Sequence, residues 1–492
     1  MSYMCFPTAD SAVLKTLSSA DSFNGINNAA FSIKSSDSDQ GTTYILSDDI
    51  LLQNVAATTP NNSSCFNNTK GDLFFNGNNH SLTFDKITTS SEGKMIFQNA
   101  VNFCTLSCFS HLKFLEPTSS KKGKSAIVSK GSLMFRSNDT ITFSGCHSSD
   151  KGGAICCIPN PGSKLSYPLS FYGNREITFS NNSSVHGGGA IYAKQKHLTA
   201  MGITLFQKNI AFGDEHSRPG GGAIAIAPEG ELSLFAEEGD IIFVGNSTRR
   251  GTHIEKNAVH LENNAFISHI GAKEGRSVQF YDAITSTSIS AIPLIINQIR
   301  DGSIHHGTVL FSSTNCSSFC SNLRSINMTR ILQDVILAGG TLHLNNGAIL
   351  GVINFIQRPN TTLILGHSTM MRIQGNAEFS NITIPVTLSN LDPLPENSKI
   401  KYRPLSSRDP GQVFLLSGDK QLSLSGSINI DVQDEDFYEN RELAQPLSIP
   451  LIKIEAQTLE NTRIKVDHVH VPTQPYGYQG SWDLEWVEST PA

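Results

Sequence analysis

The chain is short of charge. Of its 492 residues only 16% are Asp, Glu, Lys or Arg, with 43 acidic against 37 basic and a formal net charge of −6. An average globular protein carries about 25%. No dense run of Lys and Arg occurs, so the clustered cations that neutralise nucleic-acid phosphates are missing. No apolar run approaches the roughly 18 residues of a membrane-spanning helix. The longest, such as Ala291-Ile292-Pro293-Leu294-Ile295-Ile296, have the length of a strand. The opening residues Met1 to Pro7 have neither the basic nor the apolar region of a secretory leader. A GxSxG elbow and a phosphate-binding Walker loop are also absent. Tryptophan is scarce, at two residues, while Gly (39) and Phe (27) are prominent. A hydrophobic fraction of 38% excludes a disordered chain.

What the chain does have is an internal repeat. Ile-Thr-Phe or Leu-Thr-Phe segments recur, each followed by a Ser/Asn-rich turn and then glycine. Phe84, Phe114, Phe143 and Phe179 each precede a glycine (Gly93, Gly123, Gly152, Gly188) by nine residues. Phe206 precedes Gly221 by fifteen, the extra six falling at Asp214 to Pro219, and Phe243 precedes Gly251 by eight. Gly-Gly-Ala-Ile occurs at Gly152, Gly153, Ala154, Ile155; at Gly188, Gly189, Ala190, Ile191; and at Gly221, Gly222, Ala223, Ile224. Phe-x-x-Asn occurs at Phe179/Asn182, Phe206/Asn209 and Phe243/Asn246, with an outlying copy at Phe75/Asn78. After Phe143 the fourth position is Cys146.

Alternation in Ile177-Thr178-Phe179 puts Ile and Phe on one face and Thr on the other. Such a strand is too short to bury its apolar face alone, but like strands stacked about 4.8 Å apart bury it between them. Phe should then lie over Phe of the next coil. Asn at the strand end tolerates a left-handed backbone and can bond a neighbouring backbone group. Paired glycines permit a tight corner, and Ala-Ile restarts a strand. The pattern predicts an all-β fold, a right-handed parallel β-helix. Phe179, Phe206 and Phe243 are expected in its core, with loops such as Asp214 to Pro219 and Ser247 to Thr252 as the exposed surfaces. From about residue 306 the Gly-Gly-Ala-Ile motif is gone. Gly340 to Leu344, Gly347 to Leu350 and Thr361 to Gly366 still read as short strands joined by Asn/Gly turns, and the coil is expected to continue. From Asp392, prolines at 393, 395, 404 and 410 and the acidic run Asp434-Glu435-Asp436 suggest a cap and linker over the open coil end.

Groups that could do chemistry are few. The carboxylate clusters weighed for polysaccharide chemistry, Asp434-Glu435-Asp436 and Glu237-Glu238, are poor candidates, the first reading as a solvated run and the second as a turn before Gly239. His468 and His470 share one face of a strand without a visible third ligand. His305 and His306 face opposite ways. No catalytic residue, metal or cofactor is assigned. The nine cysteines include two CxxxC pairs, Cys104/Cys108 and Cys316/Cys320, about 210 residues apart. That spacing does not suit zinc. Disulfides among these four or buried free thiols are the alternatives, with no pairing fixed.

The alternation of GGAI with FxxN resembles the polymorphic membrane proteins of Chlamydia, an autotransporter family. Phe280-Tyr281-Asp282-Ala283-Ile284 is similar to a family segment between the repeats and the middle domain, and Tyr476-Gly477-Tyr478-Gln479-Gly480-Ser481-Trp482 to the end of that middle domain. The resemblance implies a β-helical passenger on the bacterial surface or outer membrane, or secreted from it, acting as an adhesin for a host-cell receptor. It links the GGAI and FxxN residues to adhesion, and it allows self-association or contact with other envelope proteins as a further partnership. It also implies a leader and a C-terminal barrel, which this chain does not display, so self-anchoring is not expected. The expected organisation is an N-terminal segment over 1–70, a repeat-bearing β-helix over 71–305, a middle domain over 306–488 and a tail over 489–492. The competing functions are a polysaccharide-processing β-helix enzyme and a truncated remnant that is not exported.

Overall fold

A computed structural model describes residues 13–17, 33–34, 42–53, 56–57, 66–68, 72–89, 97–99, 103–119, 125–158, 169–213, 220–298, 301–313, 327–386, 411–415, 421–433, 449, 451–454, 463–466 and 469. Every regular element among them is a β-strand. None is a helix long and apolar enough to cross a membrane. The chain divides into two units, one of Met1–Ser268 with Arg276–Ser290, the other of His269–Gly275 with Ala291–Ala492.

In the first unit the chain winds as a parallel β-helix, as the repeat predicts. One coil shows the plan. Ile155–Cys157, Leu169–Asn174, Glu176–Ser180 and the short Ser183–Ser184 lie on successive faces, and the corner at Gly187 to Gly189 returns the chain to the first. Each strand pairs in parallel with its counterpart one coil on. Ile155 stands against Ile191, Ile191 against Ile224, and Ile224 against Val259. Inward residues alternate with partly exposed ones, as in Leu82–Asp85 and Leu133–Arg136. The chain thus satisfies its backbone hydrogen bonds between coils and buries one side chain in two.

The predicted stacking of Phe on Phe is met along this unit. Phe84, Phe114, Phe143, Phe179, Phe206, Phe243 and Phe280 form one column, with adjacent ring centroids 4.6–5.1 Å apart and planes within 13° of parallel. Phe135 and Phe171 form a second stack, edge-on to the first at Phe143 and Phe179. The ring spacing follows from the ladder, because in-register strands hold equivalent Cβ atoms about 4.8 Å apart. Each buried Phe removes some 150–200 Å² from water, about 4 kcal/mol by area.

The second unit is wound from shorter coils without the Phe column. Met328 stands against Ile349 and Ile349 against Met370, so one turn takes 21 residues. The strands predicted at Gly340–Leu344, Gly347–Leu350 and Thr361–Gly366 are found as Thr341–Asn345, Ile349–Val352 and Thr362–Leu365. Aliphatic side chains fill this core: Leu342 and Leu344 lie against Leu363 and Leu365. The described residues beyond Gly411 add further strands to the ladder. Gln412–Leu415 pairs with Met370–Ile373, Gln421–Leu424 with Ala377–Phe379, and Arg463–Val466 with Gln421–Leu424. Proline-broken sequence still yields ladder strands here, because each strand needs only three to five residues between breaks.

Candidate functional site

The Phe-x-x-Asn and Gly-Gly-Ala-Ile residues form three internal ladders. In the first copies of Phe-x-x-Asn, the asparagine stands just past the Phe strand, with its side chain inside the coil. Asn182 Nδ2 donates to Asn209 Oδ1 at 2.9 Å, and Asn209 Nδ2 donates to Asn246 Oδ1 at 2.9 Å. Each Nδ2 also donates to the carbonyl of a Phe one coil back: Asn182 to Phe143, Asn209 to Phe179, Asn246 to Phe206. The Oδ1 atoms further accept a backbone N–H, from Cys146 for Asn182 and from Asn182 for Asn209. All three asparagines are fully buried. An amide has both donors and an acceptor, so it can pass bonds along a column indefinitely.

Of the four motif asparagines named from the sequence, only Asn78 takes the left-handed backbone, at φ 48°; Asn182, Asn209 and Asn246 do not. The residue before each of these three does: Asn181 and Lys208 at φ 53°, Gly245 at 71°. That turn aims the next side chain inward. The outlying Phe75/Asn78 copy is not equivalent, because Asn78 lies exposed in a turn. A second, shorter ladder joins Asn138 Nδ2 to Asn174 Oδ1 at 2.8 Å, at two further Phe-x-x-Asn copies, Phe135/Asn138 and Phe171/Asn174, which the sequence reading passed over.

The long ladder ends on Asp282. Its Oδ2 accepts from Asn246 N at 2.7 Å and Nδ2 at 2.9 Å, and its Oδ1 from Gly245 N at 3.1 Å. Complete burial pushes this carboxyl up to about 7, against the pull of those bonds.

The Gly-Gly-Ala-Ile corners are equally internal. Gly152 and Gly188 take φ +64°. The second glycine is required by its neighbour: a Cβ on Gly153 would collide with Gly189 O, and one on Gly189 with Gly222 O. Gly221, Gly222 and Ala223 make the third corner, with Ala154, Ala190 and Ala223 donating or accepting between coils. All twelve corner residues, like Phe179, Phe206 and Phe243, are buried. The motifs therefore shape the scaffold, and none of these side chains is offered to solvent.

An exposed segment follows Asn246, its solvent-facing residues beginning at Arg249. Ser247 to Thr252, expected as an exposed loop, is half of an antiparallel hairpin, Ser247–Arg250 against His253–Lys256. Asn257 N bonds Asn246 O at 3.1 Å and fixes the base to the ladder. Arg249, Arg250, Gly251, Thr252, His253 and Glu255 are exposed. Arg249 Nε donates to Gly251 O at 3.0 Å, and His253 Nε2 lies 2.8 Å from Glu255 Oε1. A second feature, not signalled by the sequence, crosses the outer face of the corner ladder. Lys151 Nζ donates to Tyr192 Oη at 2.6 Å, and Tyr192 Oη donates to Glu262 Oε2 at 2.8 Å. Burial and the Glu262 carboxylate push the Tyr192 hydroxyl upward.

The other candidates do not assemble. Cys104 and Cys108 are not joined, so the bridge expected of an oxidised envelope protein is not formed at this pair. Cys104 points inward between Leu73 and Leu133, and burial pushes its thiol up to about 12. Glu237 and Glu238 share a turn in which both backbone N–H groups donate to Ala200 O. No group of three metal-ligating side chains occurs among the described residues. His–hydroxyl pairs recur at His111/Thr140, His147/Ser183, His197/Ser233 and His260/Thr285, each bridging neighbouring coils. Their recurrence on several faces marks them as coil-to-coil staples. Asp214 to Pro219, Cys5, Cys65, Cys316, Cys320, Asp434-Glu435-Asp436, His468, His470 and the Tyr476 to Trp482 segment lie wholly or largely outside the described residues.

Fold and motifs define a parallel β-helical repeat protein whose signature residues are internal ladders. Residues 340–492 match the Chlamydia polymorphic membrane protein middle domain, and residues 176–194 match the Chlamydia polymorphic membrane protein repeat. The repeat match spans the Glu176–Ser180 strand, Asn182 and the corner at Gly188. The chain is 31% identical over 497 residues to probable outer membrane protein pmp12 of Chlamydia pneumoniae, covering 100% of this chain and 92% of that protein. It is 28% identical to pmp1 and to pmp8 of the same organism, over 98% and 97% of this chain. In each of those two it spans 60% of the longer protein. The chain belongs to the Chlamydia polymorphic membrane protein family. No solved structure matches it.

Proposed function

We propose that this chain is a surface-exposed adhesin-like passenger that attaches to a host cell through side chains projecting from the coil. The observation that carries the reading is the division of labour in the first unit. The motif residues are consumed by internal ladders, and the Ser247–Lys256 hairpin is held on them with its charged tip in solvent. A ladder of this kind costs little entropy on binding, because the scaffold is already ordered before contact. Placement at the cell surface or outer membrane is supported by the relatives, which are named as probable outer membrane proteins. The partner is a host-cell receptor, with self-association or other envelope proteins as the alternative partners. The absence of a three-ligand cluster among the described residues and the stapling role of the histidines favour a binding role over polysaccharide chemistry.

The test is adhesion. Beads coated with the chain should bind host epithelial cells above uncoated beads. Replacing Arg249 and Arg250 with Ser should lower binding several-fold and leave the far-UV circular dichroism unchanged. Equal binding of coated and uncoated beads would remove the proposal, and breakdown of polygalacturonate by the chain would replace it with the enzyme reading.

A further inference from the structure

One coil of the first unit breaks the apolar rule at two inward positions. Along one face the inward register reads Leu73, Cys104, Leu133, Leu169, Lys196, Leu232. Along the next it reads Leu82, Leu112, Ile141, Ile177, Thr204, Ile241, Val278. Lysine and threonine thus occupy, in the same coil, the two sites that are aliphatic or thiol in its neighbours. Both are fully buried. Neither the Lys196 Nζ nor the Thr204 Oγ1 has a hydrogen-bond partner among the described residues.

The surroundings offer no counter-charge. Lys196 Nζ lies over the Phe206 ring at 4.4 Å and near those of Phe171 and Phe179 at 5.7 and 5.8 Å. The inward residues of the packed strands are Leu169, Phe171, Ile177, Phe179, Thr204, Phe206, Leu232 and Leu234, none titratable. The charged groups of those elements lie elsewhere: Glu176 is exposed, Lys194 pairs with Glu229, Glu231 accepts from Ser268, and His197 bonds Ser233. An isolated ammonium in such a place is so costly that the group surrenders its proton instead.

We infer that the coil of Ile191–Ala200 and Thr204–Gln207 is a proton-sensitive joint in the ladder, closed around an uncharged Lys196 amine and loosened when that amine takes up a proton. Burial holds the amine well below its ordinary value. The unfolded lysine holds its proton up to about pH 10.4, while the folded one has released it. Unfolding therefore takes up a proton, and stability falls as pH drops from about 10.4 toward the folded value, below which this contribution is constant.

The experiment compares the full chain with Lys196→Met and with Lys196→Leu, which restores the residue of adjacent coils. Denaturant unfolding is followed from pH 6 to 10, with hydrogen exchange read on residues 191–207 and corrected for intrinsic rate. Both variants should be more stable at neutral pH. Across the window where Lys196 is neutral when folded, the parent's unfolding constant should rise up to tenfold per pH unit of acidification relative to either variant. Exchange in residues 191–207 should quicken with acid in the parent only. Parallel pH profiles, or variants that are less stable or fail to fold, would show the amine charged or paired in the folded chain and overturn the inference.

Discussion

At the scale of single residues, this molecule is governed by what it does with buried polarity. Asn209 makes four side-chain bonds, two received from Asn182 and two given to Phe179 O and Asn246 Oδ1. Asn209→Ala would strand a buried carbonyl and two buried donors, and should cost about 3 kcal/mol in denaturant unfolding. Phe179→Asp buries an unpaired carboxylate in the aromatic column and should leave no folded first unit by circular dichroism. Asp282 shows buried polarity titrating. Its carboxyl titrates near 7 when folded against 3.8 in a free chain. The folded form thus holds the proton longer, so this group's contribution is complete below about pH 4 and is lost as pH rises through about 7. Asp282→Asn keeps one oxygen to accept from Asn246 and gives up the bond from Gly245 N, but removes the buried charge. It should raise stability by on the order of a few kcal/mol above pH 7 and flatten the pH dependence between about 4 and 7. An unchanged profile would mean that Asp282 keeps an ordinary carboxyl.

At the scale of elements, the corner is the critical part. Gly189 sits where a Cβ would meet Gly222 O and stand 2.7 Å from Ile210 N and O. Backbone of the following coil cannot retreat without breaking the ladder. Gly189→Ala should therefore cost about 3 kcal/mol or more. Gly251, at the hairpin tip with φ +58°, has nothing within 4 Å of where a Cβ would stand. Gly251→Ala should cost only the about 1 kcal/mol of a left-handed residue. Thermal melts of the two variants check this directly, and equal losses would mean that the corner tolerates a side chain. These elements are largely readable in the sequence. Gly-Gly-Ala-Ile recurs because it answers a local requirement once per coil, and Phe-x-x-Asn because it does so on up to two faces of a coil. The hairpin is only half readable, since Ser247 to Thr252 carries turn residues while its partner strand His253–Lys256 shows no alternation that would name its direction.

At the scale of the whole chain, the repeat makes stability a sum over neighbouring coils. Ser183 stands in register with Ile210. Deleting residues 183–209 would therefore join Asn182 to Ile210 and leave every ladder in step. That variant should fold, with the β spectrum retained. A deletion of residues 183–207, two residues shorter, leaves Lys208 and Asn209 as an extra pair between Asn182 and Ile210 that must bulge from the turn, and should fold with lower stability than the in-step deletion. If the two prove equally stable, the length of this turn does not matter to the ladder.

The sequence by itself determined the things that repeat: all-β architecture, parallel stacking, the Phe column and the family. It could do so because a solenoid restates the same physical demand every coil, and restatement is visible as periodicity. Only the tertiary structure decided where single side chains end up. It set the amide ladder inside, ended it on Asp282, left Cys104 and Cys108 as separate thiols and drew Lys151, Tyr192 and Glu262 together across coils. It also placed a lysine where its neighbours have leucine. These outcomes depend on which residue of one coil lies against which of the next. Coil lengths differ by many residues through their loops, so that register is fixed by packing and by no constant spacing along the chain.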